Sequence, residues 1–197
     1  MLVTCLVVGL FASAAWAQMP QIPSFSADMQ STTHNGQNVS GKVNFGNMHM
    51  RMAMSMHGQD VVMIVDLANT NNPKATMLMV QQKMYMEMNG MGRQAAPKVR
   101  AYDPNNPCAS MEGTTCKKTG VETVNGYACD KWEFTGKENQ TVWISQKMHF
   151  PIKTVQQDGT TTEFTNIKEG PQDPSLFAIP SDYKKFDPMG MAGGRPQ

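Results

Sequence analysis

Residues 47–58, NMHMRMAMSMHG, set a methionine at every second position, Met48, Met50, Met52, Met54 and Met56. A period of two is the side-chain period of an extended strand, so these thioethers share one face of a β-strand. Further along, Met63 lies in VVMIVDLA, Met77 and Met79 in MLM, and Met84, Met86 and Met88 in KMYMEM, which repeat the alternation. Neighbouring strands of this kind assemble a wide, soft, sulfur-lined surface instead of the usual Leu, Ile and Val. With 19 methionines among 197 residues, thioether is the chemistry that sets this chain apart.

Working outward, turn signals divide the chain into short extended runs. Phe25 to Thr33 reads as a first strand ended by His34, Asn35 and Gly36. Val39 to Phe45 follows, with Gly46 and Asn47 read as a bulge or bend before the ladder that starts at Met48. Val61 to Ala68, Thr76 to Val80 and Lys83 to Met88 complete a meander. Asn89 to Gly120, broken by Pro97, Pro104 and Pro107, reads as one long loop. Strands resume at Val121 to Val124, turn at Asn125 and Gly126, and continue as Tyr127 to Thr135, Thr141 to Ser145, Ile152 to Gln157 and Thr160 to Lys168. Pro174 to Phe177 reads as a single helical turn capped by Asp173. No helical periodicity of length occurs, so the fold class is mainly β, with little helix.

Composition removes several functions. The formal net charge is +1, with 17 basic and 16 acidic residues, and no basic cluster that would hold nucleic acid. Leu2 to Ala15 is a short apolar run ending in Ala15, Trp16 and Ala17, which reads as a signal peptide, residues 1–17, cleaved near Ala17. The expected product is a periplasmic or secreted protein without a stable membrane anchor, its domain spanning residues 18–187 and a disordered tail 188–197.

Export sets how the cysteines are read. Once Cys5 leaves with the signal, Cys108, Cys116 and Cys129 remain in an oxidising compartment, enough for one disulfide and one leftover thiol. Cys108 and Cys116 share a polar loop and are the favoured pair, with pairings to Cys129 as alternatives. No C-x-x-C spacing or nearby His makes them a metal site. The catalytic motifs G-x-S-x-G, H-E-x-x-H and G-x-x-x-x-G-K are missing, and Cys129 with His149 is only a nominal nucleophile and base, so the chain reads as a non-enzyme needing no cofactor.

The C-terminal stretch VWISQKMHFPIKTVQQDGTTTEFTNIKEGPQDPSLFAIPSDYKKF resembles the closing segment of the LolA/LolB-like superfamily of periplasmic carriers. The likeness is carried by Trp143, Pro151, Ile152 and Lys153, the turn Asp158 and Gly159, Asn166 and Ile167, and Asp173, Leu176, Phe177, Ile179, Pro180 and Tyr183. Phe25, Ala27 and Asp28 match the first strand of that superfamily. The resemblance implies a single strongly curved antiparallel sheet forming an incomplete β-barrel, its concave face apolar and partly covered. Only Gln18 to Pro23 precede Ser24, too few and too proline-rich for the helix those carriers place there, and the long loop is the candidate substitute cover.

Two readings of the methionine face follow. In the first, Met48, Met50, Met52, Met54, Met56, Met63, Met77, Met79, Met84, Met86 and Met88 line a cavity for an apolar molecule, a lipid or the acyl chain of a lipoprotein, in a monomeric carrier. In the second, thioethers of Met50, Met52 and Met54 bind Cu(I), alone or with Met189 and Met191. Parity turns His49, Arg51 and His57 away from the even-numbered methionines, which disfavours a mixed His and Met site. Oxidant scavenging by solvent-exposed methionine is a third, weaker use.

Overall fold

A computed structural model describes residues 22–56, 58–68, 74–88, 103, 105–109, 111–137 and 139–186. The signal peptide and the tail expected from the sequence lie outside the described residues, as does 89–102 of the long loop. The strands are β1 (Phe25–Thr32), β2 (Asn38–Gly46), β3 (His49–Met56), β4 (Gln59–Asp66), β5 (Lys74–Met79), β6 (Met84–Glu87), β7 (Thr114–Val124), β8 (Tyr127–Gly136), β9 (Gln140–Ser145), β10 (Pro151–Gln156), β11 (Thr161–Glu169) and β12 (Lys184–Lys185). They form one 12-stranded sheet in the order β12-β6-β5-β4-β3-β2-β1-β11-β10-β9-β8-β7. All neighbours are antiparallel except β12, which joins β6 in parallel. The sheet is open and curved, with β12 and β7 as its two ends.

Local chemistry explains the turns. Asn125 (φ 49°) and Gly126 (φ 84°) form the two-residue link of the β7–β8 hairpin, in the left-handed conformation that Asn and Gly adopt most readily. The β2–β3 link differs from the sequence reading by one residue. Gly46 stays buried in β2, opposite His49, and the turn falls on Asn47 (φ 49°) and Met48 (φ 59°). A Cβ on Gly46 would meet Ser24 and Gln172 at 3.4 Å, an ordinary van der Waals contact.

β7 also departs from expectation, starting at Thr114 rather than Val121. Its sequence TTCKKTGVETV shows no apolar alternation because it is an edge strand, mostly exposed and carrying Lys117 and Lys118, the composition that keeps an edge from pairing with other chains.

Three clusters hold the sheet together. The largest joins Phe25, Val43, Phe45, Met50, Val65 and Ala75 to Cys129, Trp143, Met148, Phe150 and Ile152 from the second half. Phe150 is its hinge, with ring centroids 4.9 Å from Phe25 and 5.1 Å from Phe164. Register shifts in the β1–β11 and β9–β10 pairings let the sheet bend around it. On the other side of β8 and β9, Trp132, Phe134, Val142 and Ile144 pack under Cys108 and Met111. The third cluster sets Val62, Ile64 and Leu78 beneath Phe177 and Tyr183, so the C-terminal segment straps the face opposite the methionines.

Candidate functional site

Strand register gathers the methionines. Directly opposed residues on antiparallel neighbours point the same way. One row therefore runs Ala27, Val43, Met52, Met63, Met77, Met86 across β1 to β6, and the next runs Met29, Gly41, Met54, Val61, Met79, Met84. On the other flank of the first row, Phe25, Phe45, Met50, Val65 and Ala75 form a third, and the Met88 amide donates to the Ala75 carbonyl. With strands about 4.8 Å apart, β3 to β6 present roughly 14 Å of thioether surface.

Burial grades this surface. The third row is closed core: Phe25, Phe45, Met50, Val65 and Ala75 are at most 2% exposed, and Met88 is also buried. Met52 is buried too, whereas Met54, Met63, Met77, Met79, Met84 and Met86 are half-buried. Met48 is a correction: it occupies the hairpin turn and is 42% exposed, so the ladder starts at Met50. Met56 ends β3. Gly41 fits beneath Met54, where a Cβ would lie 2.9 Å from the methionine Cγ.

The opposite face carries His49, Arg51, Ala53, Ile64, Leu78 and Tyr85 by the same registers. The His49 ring lies 5.7 Å from that of Phe177 in the C-terminal strap. This keeps the His49 imidazole off the thioether side. Among the described residues no group of three His, Cys, Asp or Glu side chains is placed to hold a metal ion.

Cys108 and Cys116 form the disulfide, with Cα atoms 5.9 Å apart. It ties the chain before β7 to the edge strand itself. Cys129 is the free, buried cysteine; its thiol donates to the Tyr127 carbonyl at 3.4 Å, and burial pushes its pKa up to about 11. A thiol so protonated is a packing group, not a nucleophile.

Trp143 is the feature that sequence reasoning missed. Its indole N–H donates to Glu122 at 2.7 Å, Lys131 pairs with the same carboxylate at 2.9 Å, and the ammonium groups of Lys131 and Lys153 stand 5.1 and 5.6 Å from the ring centroid. The hydrogen bond from Lys131, with that from Trp143, holds the Glu122 carboxyl below its ordinary range. Alternation alone marks Trp143 as core and does not reveal the charges around it.

Among the described residues, no helix is long and apolar enough to cross a membrane. A comparison with curated proteins by sequence found no match. Among solved structures, an uncharacterized conserved protein from Thermus thermophilus is similar at 12% identity and a TM-score of 0.52, over 84% of this chain and 90% of that one. MucB is similar at 14% identity and a TM-score of 0.45, over 83% of this chain, which spans 60% of MucB. A LolA superfamily protein from Nitrosomonas europaea is similar at 9% identity and a TM-score of 0.34, over 80% of this chain and 90% of that one. The likeness to the Thermus protein is one of fold. A family model described as "Domain of unknown function (DUF4412)" matches residues 26–149 and 145–183, and the chain belongs to that family.

Proposed function

We propose that this protein is an exported, non-enzymatic binding protein, monomeric in the periplasm, that holds an apolar ligand against its methionine face. The ligand class is the acyl chain of a lipid or of an acylated peptide. One observation carries the reading: Met54, Met63, Met77, Met79, Met84 and Met86 are half-buried side by side on β3 to β6, while the opposite face lies under Phe177 and Tyr183. Methionine, with three rotatable bonds and a polarisable sulfur, fits acyl chains of differing shape without a fixed mould. The sequence resemblance to the LolA/LolB-like carriers supports the same ligand class.

The test is displacement of a fluorescent apolar probe by fatty acids of rising length. Each buried methylene contributes about 0.8 kcal/mol, so affinity should rise by up to about fourfold per CH₂ until the surface is filled. A Met63→Gln, Met77→Gln, Met86→Gln variant should lose the binding. Indifference to chain length, or to the triple substitution, removes the proposal. Native mass spectrometry with organic extraction of protein purified from its own envelope identifies the occupant.

A further inference from the structure

The β5–β6 hairpin concentrates thioethers beyond what an apolar surface needs. Its register sets Met77 opposite Met86 and Met79 opposite Met84, four methionines at the corners of a rectangle. Across strands their Cβ atoms are about 5 Å apart, and along each strand about 7 Å. All four are half-buried, and Met77 and Met86 pack against the margin of the largest core cluster. Three rotatable bonds per side chain allow the sulfurs to be drawn toward one centre. Met63, opposite Met77 on β4, stands beside the rectangle as a further donor.

Thioether is a neutral, soft ligand that selects Cu(I) and leaves hard cations in water. Tyr85 and Glu87 alternate onto the other side of β6, where Glu87 pairs with Lys185 at 2.6 Å, so carboxylate chemistry is kept off this side of the hairpin. Lys184, the register partner of Met84 on β12, is exposed. The ladder trio Met50, Met52 and Met54 is less suited, because Met50 and Met52 are 1% and 7% exposed inside the largest core cluster, whereas Met77 and Met86 sit at its margin and stay half-buried. An ion there would have to displace aromatic and aliphatic contacts.

We infer that the β5–β6 hairpin binds a soft monovalent cation, Cu(I) by chemical class, through the sulfurs of Met77, Met79, Met84 and Met86. The site stands on the cross-strand register alone and does not require that the wider face carry an acyl chain.

Two measurements test it on the full protein. In the first, Ag(I), a redox-inert probe of the same softness, is titrated into protein labelled at the methionine methyl groups. The methyl resonances of residues 77, 79, 84 and 86 should shift together, and those of Met50 and Met148 should not. In the second, Cu(I) is competed against bicinchoninate. Wild type should take up about one equivalent, and a Met77→Leu, Met79→Leu, Met84→Leu, Met86→Leu variant should bind at least about tenfold more weakly. Met50→Leu with Met52→Leu should leave Cu(I) binding unchanged. The native protein separates this site from the acyl reading: Ag(I) shifts confined to residues 77, 79, 84 and 86 report the cation site whether or not an acyl chain binds the wider face. Uniform shifts over all methionines, no shift in the four, or a quadruple variant that binds Cu(I) as tightly as wild type overturns the inference. If the variant does not fold, the methyl map of the native protein decides.

Discussion

Gly41→Ala tests whether β2 and the methionine ladder pack as closely as the register requires. The added Cβ would sit 2.5 Å from the Ala53 carbonyl oxygen and 2.9 Å from Met54 Cγ. A methionine can swing aside, but the carbonyl belongs to β3, paired directly with β2, and cannot retreat without loosening that pairing. Overpacking of this kind costs about 1–3 kcal/mol. Against it, alanine restrains the unfolded chain and recovers about 0.4–1 kcal/mol. Taking the middle of each range, the net loss is roughly 1.3 kcal/mol, which lowers Tm by about 3–5 °C for a chain of this size. Urea unfolding followed by tryptophan fluorescence, with thermal unfolding by circular dichroism, measures it. Repeating the substitution in a Met54→Ala background separates the two obstacles: if the carbonyl is the barrier, most of the loss persists. A midpoint equal to or above that of wild type would refute the reasoning, and a loss confined to the Met54 background would reassign it to the side chain.

Other substitutions follow from the same contacts. Met50→Ala, at a position 1% exposed beside Phe45 and Val65, should cost about 2–5 kcal/mol, against less than half of that for Met79→Ala, as read from paired urea midpoints. Replacing Cys108 and Cys116 by serine opens a short loop, with 8 positions separating the two cysteines, and should lower stability by about 2–3 kcal/mol on the chain-entropy account. The Glu122 carboxyl titrates below its ordinary value of 4.5 in the folded state because Lys131 and Trp143 hydrogen-bond it. Its stabilisation is therefore complete above about pH 4.5 and lost as pH falls through the depressed folded value, so unfolding midpoints should decline in acid, less steeply in Glu122→Gln.

The sequence revealed the sheet because its strands alternate cleanly and its turns carry Asn-Gly and Asp-Gly signals. Met50, Met52 and Met54 fell on one face as their period demanded, and the short turn at Pro174–Phe177 formed with Asp173 accepting from the Ser175 amide. Three features were less visible. Met48 falls in the turn because Gly46 pairs with His49 and extends β2 by one residue, a cross-strand register with no local mark. Thr114 to Gly120 lacked alternation because most of this edge strand is exposed, and its half-buried positions are Thr114, Cys116 and Gly120 rather than large apolar residues. The two-residue strand β12 is set by its docking on β6, not by its own composition. For the site, parity told which methionines share a face, but the cross-strand pairs Met77–Met86 and Met79–Met84 depend on where the β5–β6 turn falls, at Val80 to Lys83.

The pairing of β1 with β11 brings Ser31 and Thr162, separated by 131 positions, into hydrogen-bond contact. Phe177 and Tyr183 then cover β4 and β5 from still later in the chain. A polypeptide emerging from its amino end thus cannot finish its first strand's partnerships until nearly all of it has been delivered. Such long-range closure makes for slow folding, in which the strands of the amino-terminal half wait on the carboxyl-terminal half to complete the sheet.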